Sequence, residues 1–494
     1  MSEFAPGEAG AEGLEAVIGL EIHVQLATRT KMFCGCRLSF GAEPNTLTCP
    51  VCLGHPGTLP VINEQAVAYG VQVALALGCE VAPRSIFHRK NYFYPDLPKG
   101  YQISQFDIPL GSGGRLSDVR IHRAHLEEDA AKLIHVGDSG RIHGSGASLV
   151  DFNRGGTPLV EIVTEPDLRD ATAARQWLGL LRATLRRLGV SDVNMEEGSL
   201  RCDANISVRP RGQEELGVKT ELKNMNSFRY IERGIEAELV RQRELIAAGG
   251  QVRQETLHFD PATGALTALR SKEEAHDYRY FPEPDLVPIA FKADELERVR
   301  AALPELPAER VERYRSELAI PVETAVLMAA ASEWADYFEA VSAAVGAEVD
   351  GAIEPRLVAN WVTGELAAEL RRAGEAEDPS ISRVGVEAMA ELIRMVEDKR
   401  VSRAGGKTVL AALVAEGGEP GAIVEREGLA QISDSSELEG IVDEAMAAEP
   451  EAVEQVRSGN DKAIGALVGA VMKRTRGRAD GGEVSWQSPW KPPC

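Results

Sequence analysis

A carboxylate and an imidazole on one face of a strand can converge on a single ion or proton, and this chain offers such a pair early. In the stretch from Val17 to Leu26, Glu21, His23 and Gln25 alternate with Leu20, Ile22, Val24 and Leu26. A period of two is that of a half-buried β-strand, whose i and i+2 side chains stand about 6.5–7 Å apart on one face. An ordinary strand with a solvated polar face is the plain alternative. Further along, His125-Leu-Glu127-Glu128-Asp129 places three carboxylates side by side. Such neighbours repel one another unless a cation or base neutralises them. Glu161 lies inside the apolar run from Thr157 to Val163, where an unpaired charge is expensive. A solvated acidic turn and a salt-bridged core glutamate are the simpler readings of these two segments.

Cys34 and Cys36 are followed by Cys49 and Cys52, a C-x-C and a C-x-x-C pair separated by twelve residues. Pro50, Gly54 and Pro56 supply tight turns around them. Four thiolates spaced this way suit a closed tetrahedral zinc site, which is structural because no position remains for substrate. Four unrelated thiols are the alternative. Between His88 and Tyr101, Arg89, Lys90 and Lys99 are interleaved with Tyr92, Phe93, Tyr94 and Tyr101. Prolines 95 and 98 with Gly100 exclude a regular helix, so this is extended chain and loop. Its composition suits phosphate contact beside a stacked base or ribose; a surface Tyr/Lys hairpin is the plain reading.

The elements that must position these residues are legible from periodicity and caps. Asn63 to Gly78 and Asp170 to Gly189 read as capped helices, the second with the core stripe Trp177, Leu178, Leu181, Leu185 and Leu188. Leu200, Cys202, Ala204, Ile206 and Val208 alternate with Arg201, Asp203, Asn205, Ser207 and Arg209, a strand with a fully polar second face. Lys219 to Asn224 repeats the pattern, and Asn226 or Ser227 caps a helix that runs to Gly249-Gly250. From about Ala293, strand signals stop and Ala, Glu, Leu and Arg dominate, with helix breaks expected at Pro304, Pro307, Pro321, Pro355 and Pro379. Lys473, Arg474, Arg476 and Arg478 close that region with a basic cluster. It is either a helix C-terminus favoured by the macrodipole or a phosphate contact.

The totals bound the class. At 494 residues the chain exceeds one compact core, and two or three domains are expected. A net charge of −22 argues against indiscriminate binding to nucleic acid or membranes, though not against a local basic groove. No signal peptide is read at the N-terminus, and no apolar run reaches the roughly 18 residues that span a bilayer. Seven cysteines without an export signal point to metal or free thiols, and the expected location is the cytoplasm. Gly405-Gly-Lys-Thr408 imitates the end of a phosphate-binding loop, but Val401 stands where the first glycine is required. The residues alone thus describe an α+β protein with a zinc, a polar cleft able to hold a cation and phosphates, and a helical extension.

Taken together, the blocks Gly19–Leu26, His88–Gln105, His125–Lys132, Asp151–Val163, Met195–Ser207, Glu221–Ser227 and Asp277–Asp285 resemble the B subunit of the bacterial-type glutamine-dependent aspartyl/glutamyl-tRNA amidotransferase. The resemblance covers nearly all of the first 290 residues, with weaker motifs beyond. It implies an acidic N-terminus (residues 1–16), a β-rich cradle domain (17–292), an all-α helical domain (293–410) and a small helical tail domain (411–494) that binds tRNA. The implied enzyme is a carbon–nitrogen ligase. ATP phosphorylates the side-chain carboxylate of Asp or Glu misacylated onto tRNA(Asn) or tRNA(Gln), and ammonia from glutamine displaces the phosphate. Carried onto this sequence, Glu21, His23, Glu128 and Glu161 would form the Mg2+ site, and Cys34, Cys36, Cys49 and Cys52 the Zn2+ site of some members. Arg89, Lys90, Lys99 and Arg154 would meet ATP phosphates, with Glu128, Lys90, Lys99 and Arg154 as the catalytic set. Lys473, Arg474, Arg476 and Arg478 would contact tRNA. No amidase-type nucleophile segment is present, so ammonia would come from an amidase (A) subunit, with a small C subunit bracing the pair in a heterotrimer. The runner-up is a non-catalytic, zinc-stabilised tRNA-binding subunit.

Overall fold

The structure, a computed structural model, describes residues 13–136, 145–225, 227–270, 278–346, 353–374, 378–431, 435–458, 463–475 and 478–479. It divides into two compact units, Met1–Ala308 and Glu309–Cys494. In chain order the strands of the first unit begin with β1 (Leu14–Gln25), β2 (Glu80–Val81), β3 (Arg84–Ser85), β4 (His88–Asn91), β5 (Tyr101–Ser104) and β6 (Gly111–Leu116). They continue with β7 (Val119–Glu128), β8 (Lys132–Val136), β9 (Ala147–Asp151), β10 (Pro158–Thr164), β11 (Leu200–Pro210) and β12 (Thr220–Met225). The last four are β13 (Thr256–Phe259), β14 (Leu266–Arg270), β15 (Phe281–Pro282) and β16 (Ile289–Ala290).

Nine of these form one sheet in the order β14-β13-β12-β11-β1-β10-β7-β6-β2, so the first long strand of the chain lies at its centre. Its apolar face, with Ile18, Leu20, Ile22 and Val24 on β1 and Leu200, Cys202, Ala204 and Ile206 on β11, belongs to the buried core. The helices α1 (Glu64–Ala76), α2 (Ala171–Leu188) and α3 (Phe228–Ala247) contribute Val71, Leu178 and Ile235 to that core. Packing there is close. A Cβ on Gly70 of α1 would stand 2.7 Å from a Leu110 methyl and 2.9 Å from one of Leu126 on β7.

The helices start and stop where their caps say. Asn63, Asp170 and Ser227 accept hydrogen bonds from the amides of Ala66, Ala173 and Tyr230, and Gly189 ends α2 in the left-handed conformation with φ 68°. The basic aromatic segment is extended chain and loop as expected, and its extended parts pair as a hairpin. Residues His88–Asn91 pair antiparallel with Tyr101–Ser104, and Pro95, Pro98 and Gly100 are confined to the connection. Proline removes a ladder donor only where it lies within a strand, so these breakers leave the pairing intact. β15 adds a third strand through Phe281↔Arg89 and Pro282↔His88.

The second unit is helical. Pro307 opens the helix Pro307–Glu317, Pro321 precedes Val322–Ala329, Pro355 opens Pro355–Asn360, and Pro379 starts a short 3-10 turn. One core centres on Phe338, Trp361, Leu392 and Leu410; another, near the C-terminus, on Leu438, Leu467 and Val471. Gly405 and Gly406 lie inside the helix Arg403–Glu416, where the phosphate-loop look-alike is regular structure that also runs across residue 410. No helix among the described residues is long and apolar enough to cross a membrane.

Candidate active site

The second face of the sheet carries polar side chains in register. Strand pairing sets Arg201, His23, Glu161 and His125 abreast on β11, β1, β10 and β7. One pleat along, Glu127 stands on the His125 face of β7. Three of these groups converge: His23 Nε2 lies 3.4 Å from Glu161 Oε2 and 3.6 Å from Glu127 Oε1. The other side of the carboxylate pair faces His125, whose Nε2 is 3.5 Å from Glu161 and 3.8 Å from Glu127.

Burial by itself would raise both carboxyl groups. For Glu127 the His125 hydrogen bond and the fields of His23 and His125 outweigh it, and for Glu161 the field of His125, the His23 hydrogen bond and the nearby Lys90 do, so both stay below the usual carboxylate range. His23 shows the reciprocal effect. Burial lowers its pKa, but the Glu161 hydrogen bond and the fields of Glu161 and Glu127 lift it to about 9. The two buried carboxylates are balanced by His23, His125 and, at Glu161, Arg123 3.6 Å away, and the ligand atoms of His23, Glu127 and Glu161 all lie within 4.8 Å of one another. That set fits a divalent cation: oxygen-rich, anionic and compact.

The surroundings supply positive charge and flat surfaces. Lys90 is half-buried, with its ammonium 4.8 Å from the centre of the Tyr278 ring. Desolvation would neutralise it, yet the fields of Tyr280, Glu127 and Glu161 outweigh that and hold it charged. Tyr280 stacks on Phe106 at 4.3 Å, with 8° between the rings. On the far side of β1, Asn205 donates to Glu21 at 2.7 Å, and Lys223 joins Asp203 at 2.9 Å and Glu221 at 3.3 Å. The chemistry on offer is a candidate cation site beside a half-buried ammonium and stacked rings, an arrangement suited to phosphate and nucleoside groups.

The chain's relatives carry the same order of parts. Residues 16–297 match the family model described as the GatB/GatE catalytic domain, and residues 336–486 match the GatB domain. The B subunit of the aspartyl/glutamyl-tRNA(Asn/Gln) amidotransferase of Persephonella marina is 48% identical over 475 residues, spanning 94% of this chain and 97% of its own length. Its counterparts in Anaeromyxobacter sp. strain K and Moorella thermoacetica are each 49% identical, over 474 and 479 residues, covering 94% and 95% of this chain and 96% and 98% of theirs. The chain belongs to the family of these amidotransferase B subunits.

Within this family member, the sequence-derived site residues divide into those the fold gathers and those it separates. His23 and Glu161 meet, and their acidic companion is Glu127. Glu128 is turned to the opposite face of β7, where its carboxylate pairs with the Lys99 ammonium and accepts from the Ile103 amide at 3.0 Å. Glu21 shares the His23 face but is taken by Asn205, outside the three-residue cluster. Arg89 is expected at phosphate, yet it is clamped by Glu283 at 2.7 Å and Asp285 at 3.2 Å while lying over the Tyr101 ring. Arg154 spends its donors on the Ala130 and Ala131 carbonyls, 2.9 and 2.7 Å away. Of the four expected phosphate cations, only Lys90 has no carboxylate within ion-pair distance among the described residues.

Glu127, His125 and Arg201 stand out in the sequence but are not assigned there to the cation site or its support. Period two was the available signal, since His125 and Glu127 alternate with Ala124, Leu126 and Glu128 just as His23 alternates with Ile22 and Val24. Arg201 binds the buried Asp129 at 2.8 Å and, like Gln25 at 3.1 Å, anchors the end of β7.

Cys34, Cys36, Cys49 and Cys52 do come together, each sulfur within 4.8 Å of the others. Zinc–sulfur bonds of about 2.3 Å place tetrahedral sulfurs about 3.8 Å apart, so the set fits zinc. In the tail, Lys473 and Arg474 are exposed in the last turn of the helix Ile464–Arg474, and Arg478 donates to the Thr475 carbonyl at 3.2 Å. Arg476, like Asp277 and Cys494, lies outside the described residues.

Proposed function

We propose that this chain activates the side-chain carboxylate of an aspartyl or glutamyl residue misacylated onto tRNA(Asn) or tRNA(Gln), for conversion to the amide. The observation that carries the reading is the His23–Glu127–Glu161 cluster next to Lys90, a half-buried ammonium with no carboxylate within ion-pair distance among the described residues. Magnesium held by that cluster would neutralise phosphate oxygens during phosphoryl transfer. Lys90 then binds and orients the transferred group from the protein side, and Tyr278 covers its ammonium from solvent. Arg201 and Arg154 fix Asp129, which keeps the end of β7 and hence Glu127 in place. The γ-phosphoryl of ATP passes to a carboxylate oxygen, releasing ADP. Ammonia adds to the acyl carbon, and phosphate leaves with that oxygen. Ammonia is taken to come from a glutaminase of the amidase type, with this chain, that A subunit and a small C subunit forming a cytoplasmic heterotrimer. Residues 17–292 are assigned the chemistry, 293–410 a helical scaffold, and 411–494, with Lys473, Arg474, Arg476 and Arg478, a hold on tRNA. A zinc at the four cysteines completes the assignment.

The deciding experiment follows the oxygen. Misacylated tRNA carrying 18O in the side-chain carboxylate is amidated by the assembled enzyme with ATP and ammonium chloride. One 18O per amide should appear in inorganic phosphate. Amide formed without label in phosphate would remove carboxylate phosphorylation from the account.

A further inference from the structure

The four-cysteine loop is tied by hydrogen bonds to the segment between β9 and β10, which in turn holds the residue that follows Glu128. Asn45, held in the left-handed region at φ 63°, clasps the end of β9. Its amide donates to Asp151 at 3.0 Å, its side-chain nitrogen to the Val150 carbonyl at 3.0 Å, and its side-chain oxygen accepts from the Phe152 amide at 2.8 Å. Asn153 returns the grip, accepting from the Leu47 amide at 2.8 Å and donating to the Glu43 carbonyl at 2.7 Å. Lys31 is 1% exposed. Its ammonium donates to the Phe152 carbonyl at 3.0 Å and stands 3.6 Å from the Cys52 sulfur. Next to it, the Met32 amide donates to the Gly156 carbonyl at 2.7 Å.

The gripped segment is the one that sets the carboxylates. Gly156 donates to the Asp129 carbonyl and Asp129 to the Thr157 carbonyl, both at 2.8 Å, one residue past Glu128. Pro158 then opens β10, which carries Glu161. The cysteine turn also touches Lys99: a Cβ on Gly54 would fall 2.6 Å from Lys99 Cγ, and Lys99 is the partner of Glu128. Between them lies a cavity of about 90 Å³ lined by Lys31, Cys52, His55, Lys99 and Glu128.

We propose that the zinc-holding loop is a positioning device for the cation cluster, with Asn45, Asn153 and Lys31 as the positioning residues that fix the ends of the two strands bearing Glu127 and Glu161. The inference rests on the reading of His23, Glu127 and Glu161 as a divalent-cation site. A segment anchored only by its own backbone would let the two carboxylates drift. A loop cross-linked by four sulfurs on one ion cannot. Outer residues that orient metal ligands typically govern about 10–100-fold of metal affinity.

The test uses the full-length chain with Mn2+ as the probe, titrated by electron paramagnetic resonance, alongside zinc analysis and thermal unfolding. Asn45→Ala and Asn153→Ala touch no cysteine and should keep their zinc, yet bind Mn2+ about tenfold more weakly or worse. Lys31→Met, which retains bulk and loses both polar contacts, is the second variant should an asparagine change prevent folding. In the assembled enzyme the same variants should raise the KM for Mg2+ while kcat recovers at saturating Mg2+, a split that general destabilisation does not produce. Zinc-loaded, folded variants with Mn2+ affinity within twofold of the parent would overturn the proposal. A parent chain that binds no Mn2+ would remove the cation-site reading first, and this inference with it.

Discussion

Glu127→Gln and Glu128→Gln differ by one position on one strand and should differ sharply in effect. The first removes a charge 3.6 Å from the His23 imidazole inside the cluster; the second removes the partner of Lys99 on the opposite face. Two unit charges about 4 Å apart interact by about 4 kcal/mol at the effective dielectric of a protein site, and a divalent ion doubles that. Relief of carboxylate burial in the glutamine variant takes several kcal/mol back. A net loss of about 3 kcal/mol remains, roughly a hundredfold in cation affinity. Mn2+ titration of the full-length chain reads it directly, and ammonium-driven amidation by the assembled enzyme should fall by a similar factor at subsaturating Mg2+. Glu128→Gln should leave Mn2+ affinity within about threefold while disturbing the cavity around Lys99, an effect confined to the other face. The reverse pattern, with Glu128→Gln losing Mn2+ and Glu127→Gln keeping it, would refute the face assignment and the cluster together.

The remaining expectations concern pH and the tail. His23 is raised from 6.5 to about 9 by its carboxylates, against the pull of burial, so a cation must displace its proton; Mn2+ affinity should climb as pH rises toward 9 and level off above it, and a flat profile would remove His23 from the ligand set. The same shift makes the protonated imidazole stabilise the cation-free fold fully below pH 6.5, with that contribution lost as pH rises through about 9, which thermal unfolding of metal-free protein would register. Lys473→Ala with Arg474→Ala should weaken tRNA binding and reduce the slope of log affinity against log salt by about 0.9 for each phosphate no longer neutralised; an unchanged slope would leave these residues as a helix terminus and nothing more.

What could be read from the sequence was what repeats locally. Leu20, Ile22 and Val24 announced the first strand and its polar face; Asn63, Asp170 and the pair Asn226 or Ser227 announced the helix starts, because a cap acts on amides two or three residues away. The cysteine pairs were legible because turn geometry and thiol spacing are local too. The errors arose where a side chain's partner is distant. Arg89 looked like a phosphate ligand, but Glu283 and Asp285, 194 and 196 residues further on, take its guanidinium once β15 is laid beside β4. No composition rule reveals that pairing, since strand order and register are decided by the whole sheet.

Glu127 and Glu128 are the more instructive case. As a run of carboxylates the two are equivalent, and only the strand's alternation separates them: one faces His23 and a candidate cation, the other Lys99 and the cysteine loop. That alternation also explains how one strand end can serve two tasks. The face of β7 toward the cluster shares two buried carboxylates with β10, which is expensive unless neighbouring cations balance them and their position is over-determined. The opposite face, with Glu128 matched by Lys99 and the Ile103 amide, is satisfied by itself, and the loop from Asn153 to Thr157 supplies the positioning. A cluster whose carboxylates are balanced by exchangeable imidazole protons, on a strand whose other face is fully paired, is the arrangement expected where carboxylates must be presented to a ligand that is not always there.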